Sequence, residues 1–517
     1  VVKGIQFNEF MKNDIIDPVV EEAFQKPSSP KNILIFAPLA YSTPHFETDL
    51  EIAKRQIDIG NNVHFVPCLA ELPSCRLNPN HEKSMCERCM SRSIQGMERL
   101  LPDIQIHQLG QLNEKQYAVL QRLPQSFSTI EALSNFRIEN MDAGMAAKST
   151  LIDFIQEPEF DPAKYANILL RLMQATFMAY FSIQNLIDNL KIDEVFIYNG
   201  RWASSRGALR AAESKSVDYY LHERGASKDK FSVVKNYLIH DMYKTGERAG
   251  LLWEKNESNV DCELGSRFYI NQRLGKEKKW YSSIKKQEHQ KVPENWDDYS
   301  RRVIFYTSSE FELSSIGDEV QGIYPDQITA IKDLCETVQN QPNTHVWIRM
   351  HPNDKQPSRR QYYKEQTRSI PNATMLYSNE EYDSYYILTN ASLVVTEFST
   401  IGAEATFWGV PSISLGKSGY NYLGAAHTPK SIEEAKALFV DENLPCKSRK
   451  ASLIYGLWRD SYGELFKHIK TDKISDFSFG TTFMNSQIKP RSFSHDISKL
   501  QLFPAFVGQK IHALIET

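Results

Sequence analysis

The sequence predicts an α/β protein built from two doubly wound parallel sheets, and three observations carry that prediction. At 517 residues the chain exceeds what one hydrophobic core ordinarily holds. Short β-branched and aromatic runs alternate with segments of helical period, the pattern of βαβ units. The alternation occurs twice, on either side of a polar stretch between residues 245 and 300.

In order along the chain, an N-terminal arm (1–30) closes on QKPSSPKN, and ILIFAPLA (33–40) is the first strand. In PHFETDLEIAKRQIDIGNN, Leu50, Ala53 and Ile57 share one helical face and Gly60 supplies the stop, before the strand VHFVPCLA. DEVFIYNG (193–200), SSRGALRAAES and VDYYLHERG (217–225) repeat strand, helix, strand. Residues 31–295 are thus expected to form the first domain, with a Cys-rich insertion at 68–89. Past the polar stretch, RVIFYTSS, DQITAIKDLCETVQNQ, HVWIRM, ATMLY, SLVVTE, STIGAEATFWG and VPSISLG supply a second domain, residues 296–480. The remainder, 481–517, is expected to be helical and to pack back on the first domain.

Composition narrows the function. Apolar residues at 41% and charged residues at 24% belong to a folded protein rather than a disordered one. A net charge of −4 with dispersed Lys and Arg argues against nucleic acid as partner. No run of 18 apolar residues occurs, and ILLRLMQATFMAYFSI (168–183) is broken by Arg171 and Gln174, so it is expected as a buried globular helix. VVKGIQFNEFMKND lacks the order of a secretory signal. The expected location is the cytoplasm, with peripheral contact at the inner face of the membrane.

In open α/β sheets, ligands sit beyond the carboxyl ends of the strands. The residues there are Asn199, Gly200 and Arg201; Glu223 in HERG; Ser308, Ser309 and Glu310; Arg349; and His351 with Pro352. Pro352 keeps His351 out of helical geometry, so the imidazole stays at the strand end. In VVTEFSTIGAEATFWGVPSISLG (394–416), Ser399 and Thr400 are expected to cap a helix whose free amides face an anion, and Gly409 ends it. Glu404, one turn further, is placed to accept hydrogen bonds from ribose hydroxyls.

The series strand, Ser/Thr turn, GAEA, aromatic, GVPSI resembles the donor half of GT-B glycosyltransferases, in which two Rossmann-like domains face each other across a cleft. The HP pair at 351–352, with an acidic residue two before a glycine in ERG, resembles bacterial sialyltransferases, polysialyltransferases and capsule-type Kdo transferases, which use CMP-activated sugars. The resemblance covers residues 31–480. It implies Glu223 as general base, His351 on the donor phosphate and as acid for the departing CMP, Ser399 and Thr400 on the phosphate, and Glu404 on the ribose. Asn199, Arg201, Ser308, Ser309, Arg349 and Pro352 would line the nucleotide-sugar site, with basic side chains on the donor carboxylate. Metal is not needed for that chemistry. The sequence departs from the polysialyltransferase pattern at Arg224, where a second acidic residue is expected, and His45 in YSTPHFETD is the rival base.

The resemblance therefore implies an inverting, metal-independent transferase that moves a sialic-acid-like sugar or Kdo from a CMP-sugar to a bacterial surface glycan or glycolipid. The alternatives are a UDP- or GDP-sugar transferase, a nucleotide-sugar epimerase of the same fold, and a non-catalytic zinc-dependent scaffold. The epimerase is less favoured, because its paired acidic residues around a Gly-rich turn are not found.

Seven cysteines are present, four of them in CLAELPSCRLNPNHEKSMCERC: Cys68, Cys75, Cys86 and Cys89. Four thiolates with a CxxC suit structural Zn²⁺, an iron–sulfur cluster being the less favoured alternative. Cys262, Cys335 and Cys446 are expected to pack in cores.

Overall fold

A computed structural model describes residues 17–109, 112–256, 262–275, 289–317, 320–354, 356–473, 476–479 and 482–485. These residues fall into two compact units. The first holds Glu22–Arg224, Asp229–Leu238 and the chain from Leu465; the second holds Gly225–Lys228, Ile239–Glu464 and the chain up to Glu21.

The first unit is built on β1 (Asn32–Ala37), β2 (Asn62–Pro67), β3 (Gln105–Ile106), β4 (Glu194–Tyr198), β5 (Asp218–Arg224) and β6 (Lys230–Lys235). With the short strand Glu464–Leu465 at one edge, the order is Glu464–Leu465, β6, β5, β4, β1, β2, β3. The neighbours from β5 through β3 pair in parallel, and β6 runs antiparallel to β5. Ile33, Leu34, Ile35 and Phe36 of β1 are all fully buried, as a central parallel strand covered on both faces requires. The helix His45–Asp58 follows β1, and Gly60 beyond it takes a φ of 95°, the left-handed stop expected from the sequence. The apolar stretch at 168–183 lies in the helix Ala166–Leu190, which packs against Ala203–Ser214. Their close approach depends on Gly207, where a Cβ would stand 2.2 Å from the Thr176 carbonyl oxygen. Among the described residues no helix is long and apolar enough to cross a membrane.

The second unit is a five-stranded parallel sheet of β7 (Arg301–Tyr306), β8 (Thr344–Arg349), β9 (Ala373–Leu376), β10 (Leu393–Thr396) and β11 (Ser412–Ser414), ordered β11, β10, β7, β8, β9. Tyr306 registers with Arg349 on one side and Thr396 on the other. Thr307, Met350 and Glu397, each one residue beyond its strand, therefore stand at one level.

Several expectations change. The described first part of the polar stretch after residue 245 is helical and packed: the helices Met242–Asn256 and Cys262–Leu274 pack on Arg449–Ser461, burying Leu252 and Leu264 beside Tyr455 and Trp458, while 276–288 lie outside the described residues. Both helices belong to the second unit, which takes up the chain at Ile239. A few apolar residues at helical spacing outweigh a polar average. Cys335 lies in the second unit's core, whereas Cys446 is exposed; the side chain of Cys262 lies outside the described residues. Most of 481–517 also lies outside them. Its described part, Thr482–Asn485, is a strand rather than a helix and pairs antiparallel with Asp476–Phe479.

Candidate functional site

In the first unit, β4 ends in a sharp turn in which Asn199 and Gly200 take φ of 61° and 81°. Asn tolerates the left-handed region and Gly is at home there. The turn folds the Asn199 side chain toward the end of β5, where its Nδ2 donates to Glu223 Oε2 at 2.7 Å. The Arg224 amide donates to Glu223 Oε1 at 3.0 Å, and His45 Nδ1 stands 3.6 Å from the same oxygen. His45 begins the helix after β1 and stacks on Tyr198 with ring centroids 3.8 Å apart. The two rival bases and Asn199 are thus one constellation. Burial, reinforced by Arg224 and His222, holds His45 well below the usual histidine range, so its ring is neutral. The Glu223 side chain is 26% exposed and that of His45 4%, so the carboxylate is the group an incoming hydroxyl can reach.

A second layer fixes this geometry. His222 Nε2 and Asp49 Oδ1 are 2.6 Å apart and buried, joining the strand that carries Glu223 to the helix that begins with His45. Arg201 reaches Asp153 at 3.5 Å, Arg76 donates to Asp153 at 2.5 Å, and both guanidinium groups lie over the Trp202 ring. Sequence reasoning missed Tyr198, His222, Asp49, Arg76 and Asp153. Two of them had a signal: Asp49 lies one helical turn after His45, and His222 directly precedes Glu223.

In the second unit, the loops after β7, β8 and β10 are tied together. The His351 amide donates to Thr307 Oγ1 at 2.8 Å, and the Phe398 amide to Ser308 Oγ at 3.0 Å. The Ser308 backbone is held at both ends by Gln327, and the buried Ser309 hydroxyl has no hydrogen-bond partner among the described residues. The Asn353 amide donates to His351 Nδ1 at 3.1 Å, so that nitrogen is an acceptor and the ring proton sits on Nε2. Burial pushes His351 down to about 4. It is a neutral donor, held at the strand end by the turn that Pro352 begins.

Four sequence-predicted residues are engaged within the unit. Arg349 spends its guanidinium on Ser384 Oγ, the Tyr377 carbonyl and the Glu380 carbonyl, at 3.2, 2.8 and 3.1 Å, and so clamps that loop. Glu404 accepts from Thr400 Oγ1 at 2.8 Å and from the Tyr385 hydroxyl, so each of its oxygens already has a partner. Thr400 is itself helical in conformation and makes no side-chain cap; Ser399 Oγ accepts from the Ile401 amide at 3.4 Å. Two carboxyls that the sequence reading passed over stand beside them. Burial, with Asp326 nearby, raises Glu397 to about 7, and burial with Glu312 nearby raises Asp354 to about 7. Glu397 directly follows β10, where the strand-end rule points.

The four clustered cysteines lie in the first unit around a cavity. Among the described residues no three His, Cys, Asp or Glu side chains are placed to hold a single metal ion.

Residues 271–438 match the family model described as capsule polysaccharide biosynthesis protein. No curated protein matches the chain significantly. Among solved structures, the chain is similar to KpsC, a β-Kdo 2,4-transferase of Thermosulfurimonas dismutans, at 15% identity and a TM-score of 0.34 over 52% of this chain and 79% of that one. It is also similar to UDP-GlcNAc 2-epimerase from Neisseria meningitidis, at 12% identity and a TM-score of 0.28 over 84% and 95%. MurG of Acinetobacter baumannii gives 13% identity and a TM-score of 0.25 over 91% and 99%.

Proposed function

We propose that the chain is an inverting glycosyltransferase of capsule polysaccharide assembly, which transfers an acidic sugar from a CMP-activated donor to a glycan or glycolipid acceptor without a catalytic metal. The observation that carries the reading is the Glu223 constellation. A partly exposed carboxylate is oriented by Asn199 and the Arg224 amide, with a neutral His45 beside it, at the carboxyl ends of parallel strands. The match of 271–438 to a capsule polysaccharide family supports the class of product.

In this reading the acceptor hydroxyl gives its proton to Glu223 as its oxygen bonds to the anomeric carbon. The bond from that carbon to the phosphate oxygen breaks, and CMP leaves with the electron pair. Glu223 takes the base role ahead of His45 because it is the more accessible of the two; His45 and Asn199 are positioning residues. In the second unit the Nε2–H of His351 and the hydroxyls of Ser309 and Ser399 would meet the donor phosphate, with Thr400, whose hydroxyl is given to Glu404, holding the turn beside them. A neutral imidazole donor stabilises the departing phosphate by hydrogen bonding, and an adjacent dianion would draw its pKa upward toward the acid role. Arg349 and Glu404 would shape this pocket from behind rather than touch the donor. A sialyltransferase-like choice of donor and work at the inner face of the membrane belong to the same proposal.

The test is nucleotide release from a panel of CMP-, UDP- and GDP-sugars, read beside thermal protection by each free nucleotide. Release of CMP with protection by CMP alone is the expected result. Release of UDP or GDP would move the donor, and no turnover with no rise in Tm for any nucleotide would end the catalytic reading.

A further inference from the structure

Beside the base, the geometry leaves Arg201 with its hydrogen-bonding capacity unused. It directly follows the turn of Asn199 and Gly200 at the end of β4, and a guanidinium carries five N–H donors in a rigid fork. The side chain is 15% exposed, and its ion-pair partner among the described residues is Asp153, at 3.5 Å, the far limit of a hydrogen bond. Arg201 Nε is buried without a hydrogen-bond partner among them. The closer contact of Asp153 belongs to Arg76, whose Nε donates to Oδ2 at 2.5 Å. Two guanidinium groups thus share one carboxylate. They lie over the Trp202 ring at 4.0 Å for Arg76 and 4.6 Å for Arg201. Trp202 is 4% exposed, and its indole N–H likewise has no hydrogen-bond partner among the described residues.

These donors sit next to the base. Trp202 packs on Tyr198 with ring centroids 5.1 Å apart, Tyr198 stacks on His45, and His45 stands 3.6 Å from Glu223. Arg76, Arg201 and Glu223 all act electrostatically on the Tyr198 hydroxyl, so the cations and the base surround one ring. Glu223 and Arg201 each keep an exposed edge, and one molecule can reach both. A largely buried cation with idle donors is costly until an anion meets it. Water can fill the donors but brings no charge. The planar fork of a guanidinium matches a carboxylate or a phosphate through two parallel hydrogen bonds.

We propose that Arg201, supported by Arg76, binds an anionic group of the acceptor, a carboxylate or a phosphate, beside the hydroxyl that Glu223 deprotonates. The acceptor is then itself an acidic or a phosphorylated glycan. Asp153 holds the two guanidinium groups in place, and the charge it leaves over is the charge the ligand brings. A neutral acceptor would leave that cation unmatched, so the same contact selects against it. The inference deepens the reading above and rests on Glu223 as the base, whereas the anion site itself stands on contacts within the first unit.

The experiment is titration calorimetry of the full chain, without donor, with three probes: methyl β-glucuronoside, glucose 6-phosphate and the neutral methyl β-glucoside. At least one anionic probe should bind about tenfold or more tightly than the neutral one. Preference for the glucuronoside assigns a carboxylate and preference for the phosphate a phosphoryl group, and either supports the site. Equal binding of all three, or binding of none, would overturn it. Arg201→Gln should weaken the preferred anionic probe by about tenfold to a hundredfold and leave the methyl glucoside unchanged, and an unchanged anion affinity would remove Arg201 from the site. Should that variant not fold, Glu223→Gln carries the test. It takes away the neighbouring negative charge and should tighten the anionic probe by about twofold or more; an unchanged or weaker affinity would place the anion away from the base. CMP release from the donor panel without any preference for an anionic probe would sink the inference and keep the reading above. An anion preference lost in Arg201→Gln, with no nucleotide released from any donor, would keep the site and sink that reading.

Discussion

At the carboxyl ends of β1, β4 and β5 the functional side chains are a carboxylate, an imidazole, an amide and guanidinium groups that hold one another. At the ends of β7, β8 and β10 they are hydroxyls, a neutral imidazole and two carboxyls shifted toward the protonated state. Both clusters obey the same topological rule, and the difference between them is electrostatic. The first carries a negative charge of its own, as moving a proton requires. The second keeps fixed charge low, so that an anionic ligand brings the charge and meets donors already in place. An added negative side chain there would repel a phosphate, which is why raised carboxyl pKa values fit the site.

The sharpest break of this comparison is Glu223→Gln. It keeps the shape and the Asn199 contact and removes the base, so turnover should fall by roughly two to four orders of magnitude while thermal protection by nucleotide persists. Full activity would pass the base role to His45. Next is Asp49→Ala, which leaves buried His222 without its partner. Breaking a buried pair costs about 3–5 kcal/mol, read as a lower urea midpoint for the first unit. An unchanged midpoint would make the pair dispensable to the placement of His45. His351→Ala should weaken nucleotide binding by about tenfold to a hundredfold, the usual worth of one hydrogen bond to a charged group, and leave the first unit's stability alone. Equal affinity in that variant would take His351 off the donor phosphate.

How far the sequence could be read differs between the two regions for a physical reason. Alternating strands and helices are periodic signals, so every strand from 301 to 414 was legible, as was the helix at 45 with its glycine stop. Strand-end positions follow from that, which is why His45, Asn199, Glu223, Ser308 and His351 could be named. What those side chains touch depends on pairings across the sheet that no local window contains. Glu404 looked available because it lies one turn into a helix, but Tyr385 comes from a different helix to occupy it. Arg349 looked like a carboxylate binder because Arg usually is one, and the three groups it clamps are 28 to 35 residues away. Asp49 and His222 are 173 residues apart in sequence. The helices at 242 and 262 were masked for a different reason: their polar faces set the average, and only their few apolar positions are buried.

The smallest expected effect separates the two regions by pH. Asp354 is 3% exposed, and its Oδ2 has no hydrogen-bond partner among the described residues. Its pKa of about 7 in the folded chain lies above the ordinary aspartate range, because burial, with Glu312 nearby, makes the folded state disfavour the charged form. That penalty is absent below about pH 4, grows as the pH rises through the interval, and is complete above about 7. Asp354→Asn carries no charge at any pH, so its Tm relative to the parent should rise between pH 4 and pH 8. The gain at pH 8 is read as a rise in Tm that vanishes near pH 4. Asp49 is also raised by burial, but it has His222 as a partner, and Asp49→Asn should show no such gain. A gain at Asp354 that does not vary with pH would mean that packing, not charge, is responsible. A loss at pH 8 would mean that the carboxylate is ionised and paired, and the second site would then carry the negative charge that the comparison denies it.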